Sequence, residues 1–155
     1  MFDQLSNNVG VFLVIVLSAI FIQVLSVNVS IARGKFKIKT PATTGHEGFE
    51  KAFRAHLNMV ENFVVFLPIY VVALLNSGID VITKSLPSAI FLIGSTWLLS
   101  RIIGSLNYIK GWNYKLGIGM YILSFLCLVA LLVIIFLGMG TITSAIIENG
   151  GKLRG

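Results

Sequence analysis

Charge, cysteine and histidine are scarce in this chain, and each scarcity removes a class of function. Only 12% of its 155 residues are Asp, Glu, Lys or Arg, against about 25% in an ordinary soluble domain. The single cysteine, Cys127, cannot form an intrachain disulfide. Lying between Leu126 and Leu128 in an apolar run, it reads as a buried structural residue. The two histidines, His46 and His56, and that one thiol make no ligand cluster, so no metal site is expected. Glycine-rich phosphate loops, a serine nucleophile elbow and paired acid–base carboxylates are also missing. The short alternating strands of a membrane β-barrel do not occur either.

What the chain has in quantity is apolar residues: 56% of the total, with a mean hydropathy of +0.92. Four runs are near the roughly 20 residues that a bilayer-crossing helix requires. They fall at about Val9–Ala32, Ala55–Leu75, Leu86–Ile109 and Leu116–Ile142. The sequence therefore predicts an all-α, multi-pass integral membrane protein: a single domain, a four-transmembrane-helix bundle that uses nearly all of these residues. The first run has no Lys or Arg ahead of it in Met1–Asn8, and it is about twice the length of a signal-peptide core. It reads as a retained helix. Asn28-Val29-Ser30 matches a glycosylation sequon but lies inside that span and is set aside.

The net charge of +6 is unevenly placed. Arg33, Lys35, Lys37, Lys39 and Lys51 flank or fill the first loop, and Lys110 and Lys115 flank the third. Only Lys84, Lys152 and Arg154 stand on the other side. By the positive-inside bias, loops one and three face the cytoplasm and both termini face away from it, in an inner or plasma membrane if the cell is bacterial. This distribution fits a topology signal with anionic-lipid contact, or an electropositive funnel for an anionic cytosolic ligand, better than it fits nucleic acid.

Turn chemistry fills Thr40-Pro41-Ala42-Thr43-Thr44-Gly45-His46-Glu47-Gly48, and Thr44 or Gly45 is placed to cap a second helix that starts outside the membrane. Pro68 predicts a kink in that helix, Asn76-Ser77-Gly78-Ile79-Asp80 an outer turn, and Pro87 the first turn of helix three. In helix three, Arg101, Ser105, Tyr108 and Trp112 recur at i, i+4, i+7 and i+11, on one face. Gly94, Gly104 and Gly111 offer sites of close helix approach. In helix four, Gly117, Tyr121 and Ser124 share a face. An interfacial aromatic belt is the plain alternative for Tyr108, Trp112 and Tyr121.

The most telling stretch is Phe53-Arg54-Ala55-His56-Leu57-Asn58-Met59-Val60-Glu61-Asn62, at the mouth of the second span. At about 100° per residue, Asn58 lies about 40° and Glu61 about 20° from Arg54, so the three form one narrow stripe. Charged groups heading into lipid are costly unless they face protein, water or a ligand. Two readings stay open from spacing alone. In one, the stripe is structural, with Glu61 set against Arg101. In the other, it lines a polar cavity for a zwitterionic or peptide-like ligand, Arg taking a carboxylate, Glu an ammonium and Asn an amide.

The block Ala32-Arg33-Gly34-Lys35-Phe36, then Thr40-Pro41-Ala42-Thr43-Thr44-Gly45 and Phe49-Glu50-Lys51-Ala52-Phe53-Arg54-Ala55-His56-Leu57-Asn58-Met59-Val60-Glu61, resembles the MAPEG family, the membrane-associated proteins of eicosanoid and glutathione metabolism. The look is nearest to its microsomal glutathione transferase and leukotriene C4 synthase branch. That resemblance implies a homotrimer of four-helix protomers with glutathione held between subunits on the cytosolic side. It implies that Arg54, Asn58 and Glu61 hold glutathione's charged and amide groups, with Arg33 at the rim and Tyr108 and Trp112 as contacts from helix three. The departure is at the start of helix four. Leukotriene C4 synthases carry a thiolate-stabilising Arg there, and this chain has Gly117-Ile118-Gly119. Tyr121, with Arg101 second, is the remaining candidate to activate the thiol.

Three functions follow. The first is a glutathione transferase or peroxidase acting on lipophilic electrophiles that arrive through the bilayer. The second is a non-enzymatic MAPEG-like protein that binds lipid or acts as a scaffold. The third, a proton-coupled small transporter with Glu61 as carrier, is disfavoured by Arg54 on the same stripe.

Overall fold

The structure is a computed structural model and describes residues 2–76 and 86–152. Its elements are four helices: α1 (Phe2–Lys35), α2 (Glu47–Asn76), α3 (Leu86–Lys110) and α4 (Tyr114–Lys152). Each is long and apolar enough to cross a membrane, over Val9–Lys35, Glu47–Asn76, Ser88–Lys110 and Tyr114–Gly140. The expected spans all fall within these helices. The helices run further because helix geometry does not stop where hydrophobicity does. Thus α2 begins at Glu47, about two turns before the apolar stretch. Pro68 sits on the exposed side of an α2 that continues unbroken through it, and Pro87 is in the first turn of α3. The outer turn expected after Asn76, and Lys84 and Arg154, lie outside the described residues.

α2 and α3 form the middle of the bundle, with α1 and α4 each packing against both. The basic end of the bundle is where α1 and α3 finish and α2 and α4 begin. Its loops are closely tied. His46, rather than Thr44 or Gly45, caps α2: its Nδ1 accepts from the Gly48 N–H at 3.0 Å and its carbonyl accepts from Phe49 and Glu50. The Glu50 carboxylate in turn accepts from the Gly45 N–H at 2.9 Å, a reciprocal arrangement like a capping box. The His46 ring stacks on Phe36 at 3.7 Å, so one residue both caps α2 and fastens it to the end of α1. Histidine is not among the usual capping residues, which is why the sequence pointed to its neighbours.

α3 ends at Gly111, whose φ of 67° is the left-handed conformation that closes a helix, its N–H donating to the Asn107 carbonyl at 2.8 Å. Of the three glycines expected at close approaches, Gly111 has this backbone role instead. Gly94 is the tight contact: it is buried against the ring of Tyr70, and a Cβ there would overlap that ring. Tyr70 stacks on Phe66 at 4.7 Å, and Phe66 lies nearly parallel to Trp97 at 3.7 Å and 6°. All three aromatic residues are fully buried, with Met59, Ile90 and Leu131 around them, and Cys127 belongs to the same core. Gly94→Ala is therefore expected to displace the Tyr70 ring and destabilise the protein by about 1–3 kcal/mol, the usual range for overpacking. Thermal unfolding in detergent measures it, and an unchanged midpoint would show that the α2–α3 contact has slack.

Candidate functional site

At the basic end, the facing sides of α2, α3 and α4 do not meet, and the gap is a cavity of about 450 Å³. α2 contributes Lys51, Ala55 and Asn58, one turn apart. α3 contributes Ser100, Arg101, Gly104, Ser105, Asn107 and Tyr108, and the turn contributes Gly111 and Asn113. α4 closes it with Tyr114, Gly117, Ile118 and Tyr121. Small residues at Ala55, Gly104 and Gly117 leave the room, and the recurring polar positions of α3 face into it.

Arg101 is the chemical centre of this cavity. Its side chain is 5% exposed. One terminal nitrogen, Nη2, donates to the backbone carbonyl of Asn58 at 3.2 Å, and the guanidinium carbon stands 5.6 Å from the centre of the Tyr121 ring. Nε has no hydrogen-bond partner. Among the described residues no carboxylate pairs with it; the ion pair there is Lys51 with Glu47, at 2.5 Å on the surface of α2. The structural reading that set Glu61 against Arg101 is corrected: the guanidinium takes a main-chain oxygen one turn earlier in α2.

The stripe of α2 divides. Asn58 lines the cavity, and its Oδ1 accepts from Asn62 at 3.2 Å. Arg54 and Glu61 are exposed on the outside of the bundle and make no side-chain hydrogen bond or ion pair among the described residues. Tyr108 and Tyr121 both line the cavity and are each 50% exposed. Trp112 is outside it, exposed, with the Lys110 ammonium 4.3 Å from its ring centre. Arg33 is also outside: Nη1 donates to the Ala42 carbonyl at 2.9 Å, and the guanidinium lies 4.7 Å over Phe49. Arg33 thus holds the first loop against α2.

Two residues that sequence reasoning missed shape the cavity rim. Asn107 Nδ2 donates to the Asn113 carbonyl at 2.8 Å, and its Oδ1 accepts from the Asn113 N–H at 3.0 Å. Asn113 Oδ1 then accepts from the Lys115 and Leu116 N–H groups, capping α4. An Asn immediately before the last apolar run was the available signal. At Gly119, a Cβ would meet nothing within 4 Å. The position has room for a side chain and supplies none.

A buried guanidinium with no counter-anion among the described residues, the tyrosines Tyr108, Tyr114 and Tyr121 and the amide of Asn58 make a chamber suited to holding negative charge. Comparison with known proteins gives the wider context. The chain is 38% identical over 72 residues to human microsomal glutathione S-transferase 2, which covers 46% of each protein. It is 33% identical over 97 residues to an uncharacterized protein of Synechocystis sp., covering 62% of this chain and 64% of that one. The chain thus spans less than two thirds of either relative. The family model described as MAPEG matches residues 11–137, which takes in nearly all of the four spans and the whole cavity. This chain is a member of the MAPEG family, and with its four spanning helices it is a multi-pass integral membrane protein.

Proposed function

We propose that the protein binds glutathione at the basic end of the bundle and acts as a membrane glutathione transferase or peroxidase on lipophilic electrophiles, as a homotrimer. The observation that carries this reading is the position of Arg54 and Glu61, exposed at the mouth of a span and unpaired among the described residues. Such groups are costly against lipid. A second copy packed there, with a zwitterionic ligand between, satisfies both. Arg54 would take a glutathione carboxylate, Glu61 the ammonium and Asn58 an amide. The partial match to the human microsomal glutathione transferase supports the same ligand.

In this reading the thiol points toward the cavity that Asn58 shares with α3 and α4. Tyr121 donates its hydroxyl to the sulfur, and Arg101 behind it keeps the chamber electropositive, which favours the thiolate, the nucleophilic form. Native mass spectrometry from detergent with added glutathione is expected to give three chains carrying glutathione. A monomer that binds none would overturn the assembly and the site together. The open space at Gly119 favours one second reading, a glutathione-binding or lipid-binding protein without turnover.

Loops one and three face the cytoplasm in this account. With single cysteines at Lys37 and at Lys84, a membrane-impermeant thiol reagent on intact cells is expected to label position 84. Labelling at position 37 alone would reverse the orientation.

A further inference from the structure

Asn58 and Asn62 stand one turn apart on α2, where the helix enters its apolar run. Asn62 Nδ2 donates twice, to the Asn58 main-chain oxygen at 2.7 Å and to the Asn58 side-chain Oδ1 at 3.2 Å. An asparagine side chain on a helix often bonds back to the carbonyl four residues earlier. That habit accounts for the first bond and leaves the second unexplained. The main-chain oxygen can only accept, so the Asn62 atom facing it is the nitrogen. That nitrogen can only donate, so the Asn58 atom beside it is the oxygen. The Asn58 amide is thereby held in one of its two orientations. Arg101 Nη2, 3.2 Å from the same main-chain oxygen, braces this turn from α3. Asn58 Nδ2 makes no hydrogen bond among the described residues, and Asn58 is exposed at the cavity wall.

We propose that Asn62 is a positioning residue that fixes Asn58 as a hydrogen-bond donor, so that Asn58 recognises a peptide carbonyl oxygen of glutathione rather than a peptide N–H. This rests on the proposed reading in which glutathione lies against the α2 stripe. A free asparagine amide offers a donor and an acceptor equally, and so does not tell the two edges of a peptide group apart. With Oδ1 taken by Asn62, the N–H edge is the one left for the ligand. Its neighbours on the stripe fit this assignment. Arg54 takes a carboxylate and Glu61 the ammonium, and a neutral donor between them along the helix matches a neutral acceptor. Holding the amide in place before the ligand arrives also lowers the ordering cost of binding. Asn62 acts through Asn58 and touches no ligand atom itself.

Equilibrium binding of glutathione to the purified protein, in a double-mutant cycle over positions 58 and 62, tests this. Asn62→Asp keeps the shape and replaces the donor by an acceptor, which turns the Asn58 amide round and presents its oxygen to the ligand. Affinity is expected to fall about tenfold. Asn62→Leu frees the amide without reversing it, and a loss of about threefold is expected. In an Asn58→Ala background, itself weakened, neither change is expected to lower affinity further. Equal losses in both backgrounds would mean that Asn62 acts through the fold or through its charge, and would overturn the proposal. Wild-type affinity in both Asn62 variants would overturn it too, leaving Asn62 an ordinary helix-surface residue. Should Asn62→Asp fail to fold, Asn62→Leu, whose side chain suits a spanning helix, completes the same cycle. Absence of glutathione binding in the wild-type protein would remove the binding reading and this inference with it, a result distinct from intact binding that ignores position 62.

Discussion

Arg54→Ala and Glu61→Gln are each expected to weaken glutathione binding by about tenfold or more. Both side chains stand free on the outer face of α2, and each change removes one charged partner from the ligand and leaves the other unmatched. Charge-assisted hydrogen bonds of this kind contribute roughly 1.5–3 kcal/mol, and 1.4 kcal/mol is a factor of ten. Because neither residue contributes to the core, folding is expected to be unaffected. Equilibrium binding on variants that keep the wild-type unfolding temperature reads the effect directly. Unchanged affinity would make the stripe a subunit contact and nothing more.

Tyr121→Phe is expected to lower conjugation or peroxidase rate by about 10²–10³, the usual loss when one donor to a developing anion is removed. The substitution deletes only the hydroxyl. The ring, which packs on the Arg101 guanidinium, stays in place. With no side chain at Gly119, the Tyr121 hydroxyl is the α4 group that lines the cavity with a donor at this depth, and its neighbour Ser124 is already committed to the Tyr121 carbonyl. Glutathione affinity is expected to change little, so the loss appears in kcat. Full activity in Tyr121→Phe would move thiol activation to another donor.

The architecture was legible because lipid imposes a simple rule. Twenty or so apolar residues in a row read as a span, and all four runs became helices. The polar stripe of α3 was legible for a related reason: Arg101, Ser105 and Tyr108 interrupt an apolar helix at helical spacing, and the structure turns all three into one cavity. Where each long side chain would end was not legible. Periodicity gives the face of a helix but not the neighbour that face meets. Arg101 passed over Glu61 for a main-chain oxygen, and Arg33 turned to the first loop rather than to the cavity. The Asn107–Asn113 clasp was hidden because its two amides belong to a helix end and a turn, with no shared period. His46 was missed as a cap because its role depends on the ring also finding Phe36. How Arg54, Asn58 and Glu61 divide between an outer face and an inner cavity depends on tertiary packing, which single-helix geometry does not contain.

The central claim is that this bundle binds glutathione and holds its sulfur as a thiolate. Titrating purified protein with glutathione while recording the ultraviolet absorbance of the thiolate tests it most directly. The account predicts a saturable thiolate band that is lost in Arg54→Ala and strongly reduced in Tyr121→Phe. Saturable binding with no thiolate band would contradict the enzymatic reading, and no binding would contradict the site itself.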